Sequence, residues 1–238
     1  MRRLIRIAAV LVFAGCTAPA AAPSPTPPSS IAATTTPPPS VAVATTLPSA
    51  APDPRLAPAI PAPATVTLDA KTTALVVLDV ISPTCTARPA CADSIPALQA
   101  LIKKARDASV PVFYTTTATT NPVMPQIAPA AGDVTIVPTN ADKFNNPDFD
   151  AALKARKVTT LVLVGTRSNG AVLYTAFEAN VRGYTVVIAI DGISGSIPFE
   201  TTLTEWQLLN QPGFPNIDNK PLAEKLVTLS RGDLITFK

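Results

Sequence analysis

Histidine is absent from this 238-residue chain, and the absence removes two kinds of chemistry together. No imidazole can shuttle protons at neutral pH, and none can ligate zinc. Cysteine is scarce, at three residues, so any thiol chemistry or disulfide has to be found among Cys16, Cys85 and Cys91. A strong charge bias is missing too. With 19 Lys and Arg against 16 Asp and Glu, the net charge of +3 gives no sign of the basic patch that nucleic-acid binding needs, and no nucleic-acid partner is expected. No cofactor or metal is expected either. The chain also lacks an apolar run of bilayer length near its start. Ile7 to Ala14 is apolar, but a spanning helix takes about 20 such residues.

What is present divides the chain into three parts. Residues 1–15 open with Arg2, Arg3 and Arg6, continue with that short apolar run and end in small residues, the pattern of a secretory signal. The Phe-Ala-Gly-Cys ending at Cys16 resembles a bacterial lipobox, with Phe13 where Leu is usual. It implies that Cys16 becomes the lipidated first residue of an exported protein, held to a cell-envelope membrane outside the cytoplasm. The alternative is a plain signal peptide with an incidental cysteine. Residues 16–65 are Ala, Pro, Thr and Ser with almost no large side chains, and Asp53 and Arg55 are their only charges. Such a segment buries too little apolar surface to offset the entropy of ordering, so a disordered tether is predicted. Residues 66–238 carry the alternating apolar pattern of a folded domain.

Within that domain, Thr73 to Val80 reads as a buried strand, Ile95 to Ala108 as a helix with apolar residues at helical spacing, and Val110 to Thr115 as a second strand. Thr116 to Asn140 is rich in Pro, Ala and Thr and reads as an irregular excursion holding a short strand at Val134 to Val137. Asp148 to Arg156 is a predicted helix. Leu161 to Val164 is an unbroken apolar run ended by Gly165, followed by a helix capped by Ser168 or Asn169 with Val172, Leu173, Ala176, Phe177 and Ala179 as its apolar stripe. Tyr184 to Ala189 forms another strand ending at Asp191, a residue expected to stabilise the next turn. A helix is predicted around Trp206, itself a core or oligomer contact, and Leu234 to Phe237 closes with a last strand. Strands alternating with helices predict an α/β fold with three layers, α/β/α, and a mostly parallel central sheet.

Two features bear on chemistry. Asp79 lies at the carboxyl end of the first strand, where open parallel sheets bind ligands. Cys85 and Cys91 sit six apart in the Pro-containing loop that follows, SPTCTARPACADS. In an oxidising compartment they can close a small disulfide ring; the other reading makes one of them a nucleophile beside Asp79.

The strand–turn–helix from Thr160 to Gly183 resembles the isochorismatase-like (cysteine hydrolase) family, which includes nicotinamidases. In the family's Gly-x-x-Thr-x-x-Cys-Val segment the Cys is the nucleophile, and here Gly165, Ser168, Ala171 and Val172 take those places. The family's catalytic Asp corresponds to Asp79, with Ile81 in the place of a Gln. Its catalytic Lys stands six residues before a Phe; alignment on Phe144, Pro147, Phe149 and Leu153 puts Pro138 there, whereas a gapped register brings in Lys143. The resemblance implies an oxyanion hole from the backbone N–H groups of Arg167 and Ala171, a cis peptide before Arg167, and a pocket wall that includes Ser168, Asn169 and Gly170. The zinc site of some members needs histidine and cannot be built here.

Alanine has no lone pair with which to attack a carbonyl, so the expected function is an isochorismatase-like domain that has lost cysteine-hydrolase activity and binds a small molecule or an envelope protein. One alternative is an active hydrolase of small amides with a rearranged site built on Asp79 and Lys143. Another is a structural module, because family members associate into homo-oligomers through helices on one face of the sheet.

Overall fold

The computed structural model describes residues 59–137 and 140–238. The signal segment, Cys16, most of the linker, and Pro138 lie outside the described residues. In chain order the elements are β1 (Val66–Leu68), β2 (Thr73–Leu78), α1 (Ser82–Thr86), α2 (Pro89–Asp107), β3 (Val112–Thr115), β4 (Val134–Ile136), α3 (Pro147–Ala155), β5 (Thr160–Thr166), α4 (Leu173–Val181), β6 (Thr185–Ser194), α5 (Pro198–Leu209), β7 (Val227–Ser230) and β8 (Ile235–Phe237).

Six strands pair in the order β4-β3-β2-β5-β6-β7, every neighbour parallel. The chain first builds outward from β2 to β4, then returns to the other side of β2 and builds outward again from β5. The order therefore reverses between β2 and β5, and the crevice beyond their carboxyl ends is where such sheets take ligands.

Both faces of the sheet are covered, which explains the continuous apolar runs. Ala74, Val76 and Leu78 of β2 join Leu161 and Leu163 of β5 in a core shared with Phe149, Leu153, Ala176 and Leu208 from α3, α4 and α5, and with Val172 just before α4. Leu75, Val77, Val162 and Val164 point the other way, onto Ile95, Leu98, Leu101 and Ile102 of α2 and onto β1 and β8. Each fully buried Leu or Val contributes about 1.5–3 kcal/mol.

Several predicted boundaries shift. The loop holding the two cysteines is helical: α1 carries Cys85, and α2 begins at Pro89 rather than near Ile95, with Pro89 in the first turn, where its missing N–H costs nothing. The last strand does not join the main sheet; β8 pairs with β1 in a separate two-stranded sheet, and the sixth strand of the main sheet is β7, for which the sequence pattern gives no expectation. β6 runs through Asp191 and Gly192 to Ser194, because a bulge opposite Leu163 and Gly165 absorbs the extra residues. Asp191 accepts the Gly232 N–H at 2.9 Å, bracing the turn before β8. Phe177 faces outward from α4, and Trp206 is half-buried on α5. Contacts to the domain start ahead of Val66: Ile60 packs on the core, and Ala64 N–H donates to Leu229 O at 2.8 Å.

Candidate active site

The site is assembled at the ends of β2 and β5. Gly165 has a φ of +120°, and a Cβ there would lie 2.1 Å from Leu78 O, so only glycine lets β5 pass this close to the residue before Asp79. The Thr166–Arg167 peptide is cis, in the position that the resemblance implied. Arg167 O then accepts from Gly170 N–H at 3.0 Å and from Val172 N–H at 3.2 Å. The second bond skips five residues and makes Ser168–Val172 a π turn ahead of α4, a distortion often found at functional sites. Ser168 and Asn169 do not cap this helix. The Ser168 hydroxyl is buried without a partner among the described residues.

Asp79 follows β2 with a φ of +50°. Its Oδ1 accepts from the Thr115 hydroxyl at 2.8 Å and its Oδ2 from Lys143 Nζ at 2.5 Å. Lys143 is completely buried, and its ammonium also donates to Asn140 O. Burial pushes the Lys143 pKa down from the ordinary lysine value, while the Asp79 charge holds it up. Local sequence explains the placement. Asp142 accepts the Phe144 N–H at 2.9 Å, forming a short 3₁₀ turn, and Asn146 caps α3 through the Asp148 N–H. Phe144 packs at 5.0 Å from Phe149, which anchors the turn in the core, and the preceding residue is thereby aimed at Asp79. The lysine beside Asp79 is thus Lys143, and the loss of that charge expected from the ungapped alignment on Pro138 is corrected.

A cavity of about 430 Å³ opens above this pair, lined by Asp79, Ile81, Arg88, Thr166, Arg167 and Ala171 among others. Ala171 is buried in its wall, in the position where a nucleophile would stand. Thr117 and Asn121 also line it, so the excursion after β3 does border the pocket. Arg167 pairs with Glu200 at 2.7 Å. The Ser196 N–H and then Arg167 hold the Glu200 carboxyl below its usual pKa. Cys85 and Cys91 are joined in a disulfide, so neither is a thiol available for attack. Among the described residues no group of three or more Cys, Asp or Glu is placed to hold a metal ion.

Thr115, Thr175, Glu200 and Arg88 were missed from sequence. Thr115 is brought to Asp79 only by the pairing of β3 with β2, and Thr175 meets the Lys143 N–H across 32 residues. Arg88 did carry a signal, a lone charge between two cysteines and next to proline.

A parallel three-layer sheet whose reversal point holds a buried Asp–Lys pair opposite a π turn defines an α/β domain with the framework of a nucleophile-turn hydrolase. The chain belongs to the isochorismatase family: the family model described as Isochorismatase domain matches residues 73–217. A curated relative, N-carbamoylsarcosine amidase of Arthrobacter sp, is 26% identical over 155 residues, which are 53% of this chain and 55% of the relative; the match spans about half the length of that protein. Solved structures agree in fold. N-carbamoylsarcosine amidase from Thermoplasma acidophilum matches with a TM-score of 0.56 and 20% identity, over 68% of this chain and 97% of that one. A nicotinamidase from Staphylococcus aureus matches with a TM-score of 0.57 and 16% identity, over 68% of this chain and 99% of that one.

Proposed function

We propose that this chain is an exported, lipid-anchored member of the isochorismatase family that has lost cysteine hydrolysis and binds a small carbonyl- or amide-bearing molecule. The observation that carries the reading is Ala171 on the cavity wall, at the nucleophile turn, in a domain whose two cysteines, Cys85 and Cys91, are bonded to each other. The turn's backbone does not depend on the lost side chain, so its N–H groups still suit a carbonyl oxygen. The signal-like segment and Cys16 support the anchoring.

A second reading is favoured by the Asp79–Lys143 pair. A carboxylate held beside a buried ammonium can take a proton from water, and a water so activated could replace the thiol. An ammonia-release screen of the purified full chain on N-carbamoylsarcosine, nicotinamide and related small amides separates the two. No turnover, with measurable binding, is the expected result; turnover abolished by Asp79→Ala would establish the hydrolase instead. For the anchor, Cys16→Ser is expected to move the chain from the membrane fraction to the soluble one.

A further inference from the structure

The charges around the cavity do not balance. Asp79 is matched by Lys143 and Arg167 by Glu200, whereas the partly buried Arg88 lines the same cavity with no hydrogen-bond or ion-pair partner for its guanidinium among the described residues. Its backbone is tightly held. Arg88 lies inside the Cys85–Cys91 ring, and both of those side chains are buried. Pro89 restricts it to extended conformations, and it sits there, at φ −132° and ψ 103°. Its N–H donates to Cys85 O at 3.3 Å, and its carbonyl accepts from Cys91 N–H at 3.0 Å and Ala92 N–H at 3.2 Å. Arg88 thus lines a cavity of small-molecule size from a held backbone, and the planar fork of its guanidinium matches a carboxylate.

Resting on the reading of this cavity as an amide-binding site, we propose that Arg88 is its anion-recognition residue, so that the ligand is a small amide carrying a carboxylate. The carboxylate pairs with Arg88 while the amide carbonyl lies at the Arg167–Ala171 turn. The disulfide serves as the brace that sets the position of this charge.

Calorimetric titration of the full chain with two probes of nearly equal size tests this: succinamate, with one carboxylate and one amide, and succinamide, with two amides. The wild type is expected to bind succinamate roughly tenfold or more tightly than succinamide, the range for a hydrogen bond to a charged group. Arg88→Gln should bring the two probes to within about twofold, and Arg88→Lys, which keeps the charge without the fork, should fall between. Equal binding of both probes by the wild type overturns the anion site and leaves the amide-binding cavity standing. A preference that survives in Arg88→Gln removes the assignment to Arg88. Binding of neither probe overturns the cavity reading and this inference together.

Discussion

On the proposed reading, the site of Asp79, Lys143 and Ala171 differs from a cysteine-hydrolase site by a single side-chain atom at Ala171. A lysine with no exposed surface is costly to keep charged, and removing one member of such a pair strands the other in a poorly solvated place, at roughly 3–5 kcal/mol. The Asp79 carboxylate accepts hydrogen bonds from Thr115 and Lys143, which on that reading keeps the acid–base pair in place. Ala171→Cys should therefore restore turnover on the amide panel. We expect turnover where the wild type shows none, lowered about 10²-fold or more, the range of general acid–base assistance, when Asp79→Asn is added. Ammonia release measures it, and a folded Ala171→Cys protein with no gain would mean that the turn and Asp79 are out of register for chemistry.

Among the elements, the close approach of β5 to β2 sets the distance across the site. A side chain at Gly165 would meet Leu78 O at 2.1 Å in a left-handed conformation. Gly165→Ala should then cost about 3 kcal/mol or more, from overpacking and an unfavourable φ together, read as a lowered midpoint in urea. The disulfide ties α1 to the start of α2. In the chain-entropy account, losing so small a ring costs about 2 kcal/mol, so Cys85→Ser with Cys91→Ser should unfold at a correspondingly lower temperature in calorimetry while the sheet itself persists. Much of this level is legible in the sequence. β5 and α3 fall within two residues of their predicted bounds, since buried parallel strands and amphipathic helices write their periods into the chain. β7 is not, because its four residues sit beside charged turn residues and look like loop until β6 covers them. The helical turns around the cysteines are hidden by Pro83 and Pro89, which punctuate loops and begin helices alike.

At the level of the molecule, two tyrosines tie stability to alkaline pH. Burial pushes the Tyr114 phenol up to about 12, and burial with an Asp150 acceptor at 2.8 Å raises that of Tyr184 as well. An unfolded phenol ionises near 10. Between those values the folded state binds more protons than the unfolded one, so stability is complete below about pH 10 and falls as the pH rises toward 12. Thermal midpoints measured from pH 9 to pH 12 should decline over that window, and Tyr114→Phe should flatten part of the decline.

The layered α/β architecture, the strand-end position of Asp79 and the absence of a thiol at Ala171 were all readable from residue order, because hydrophobic period, strand polarity and side-chain chemistry are local properties. The lysine that meets Asp79 was left open between two registers. Spacing before Phe144 is elastic, and the anchoring of Phe144 in the core is what aims Lys143 at the carboxylate. The uncompensated charge of Arg88 was likewise invisible, since knowing that a charge lacks a partner requires knowing everything that surrounds it.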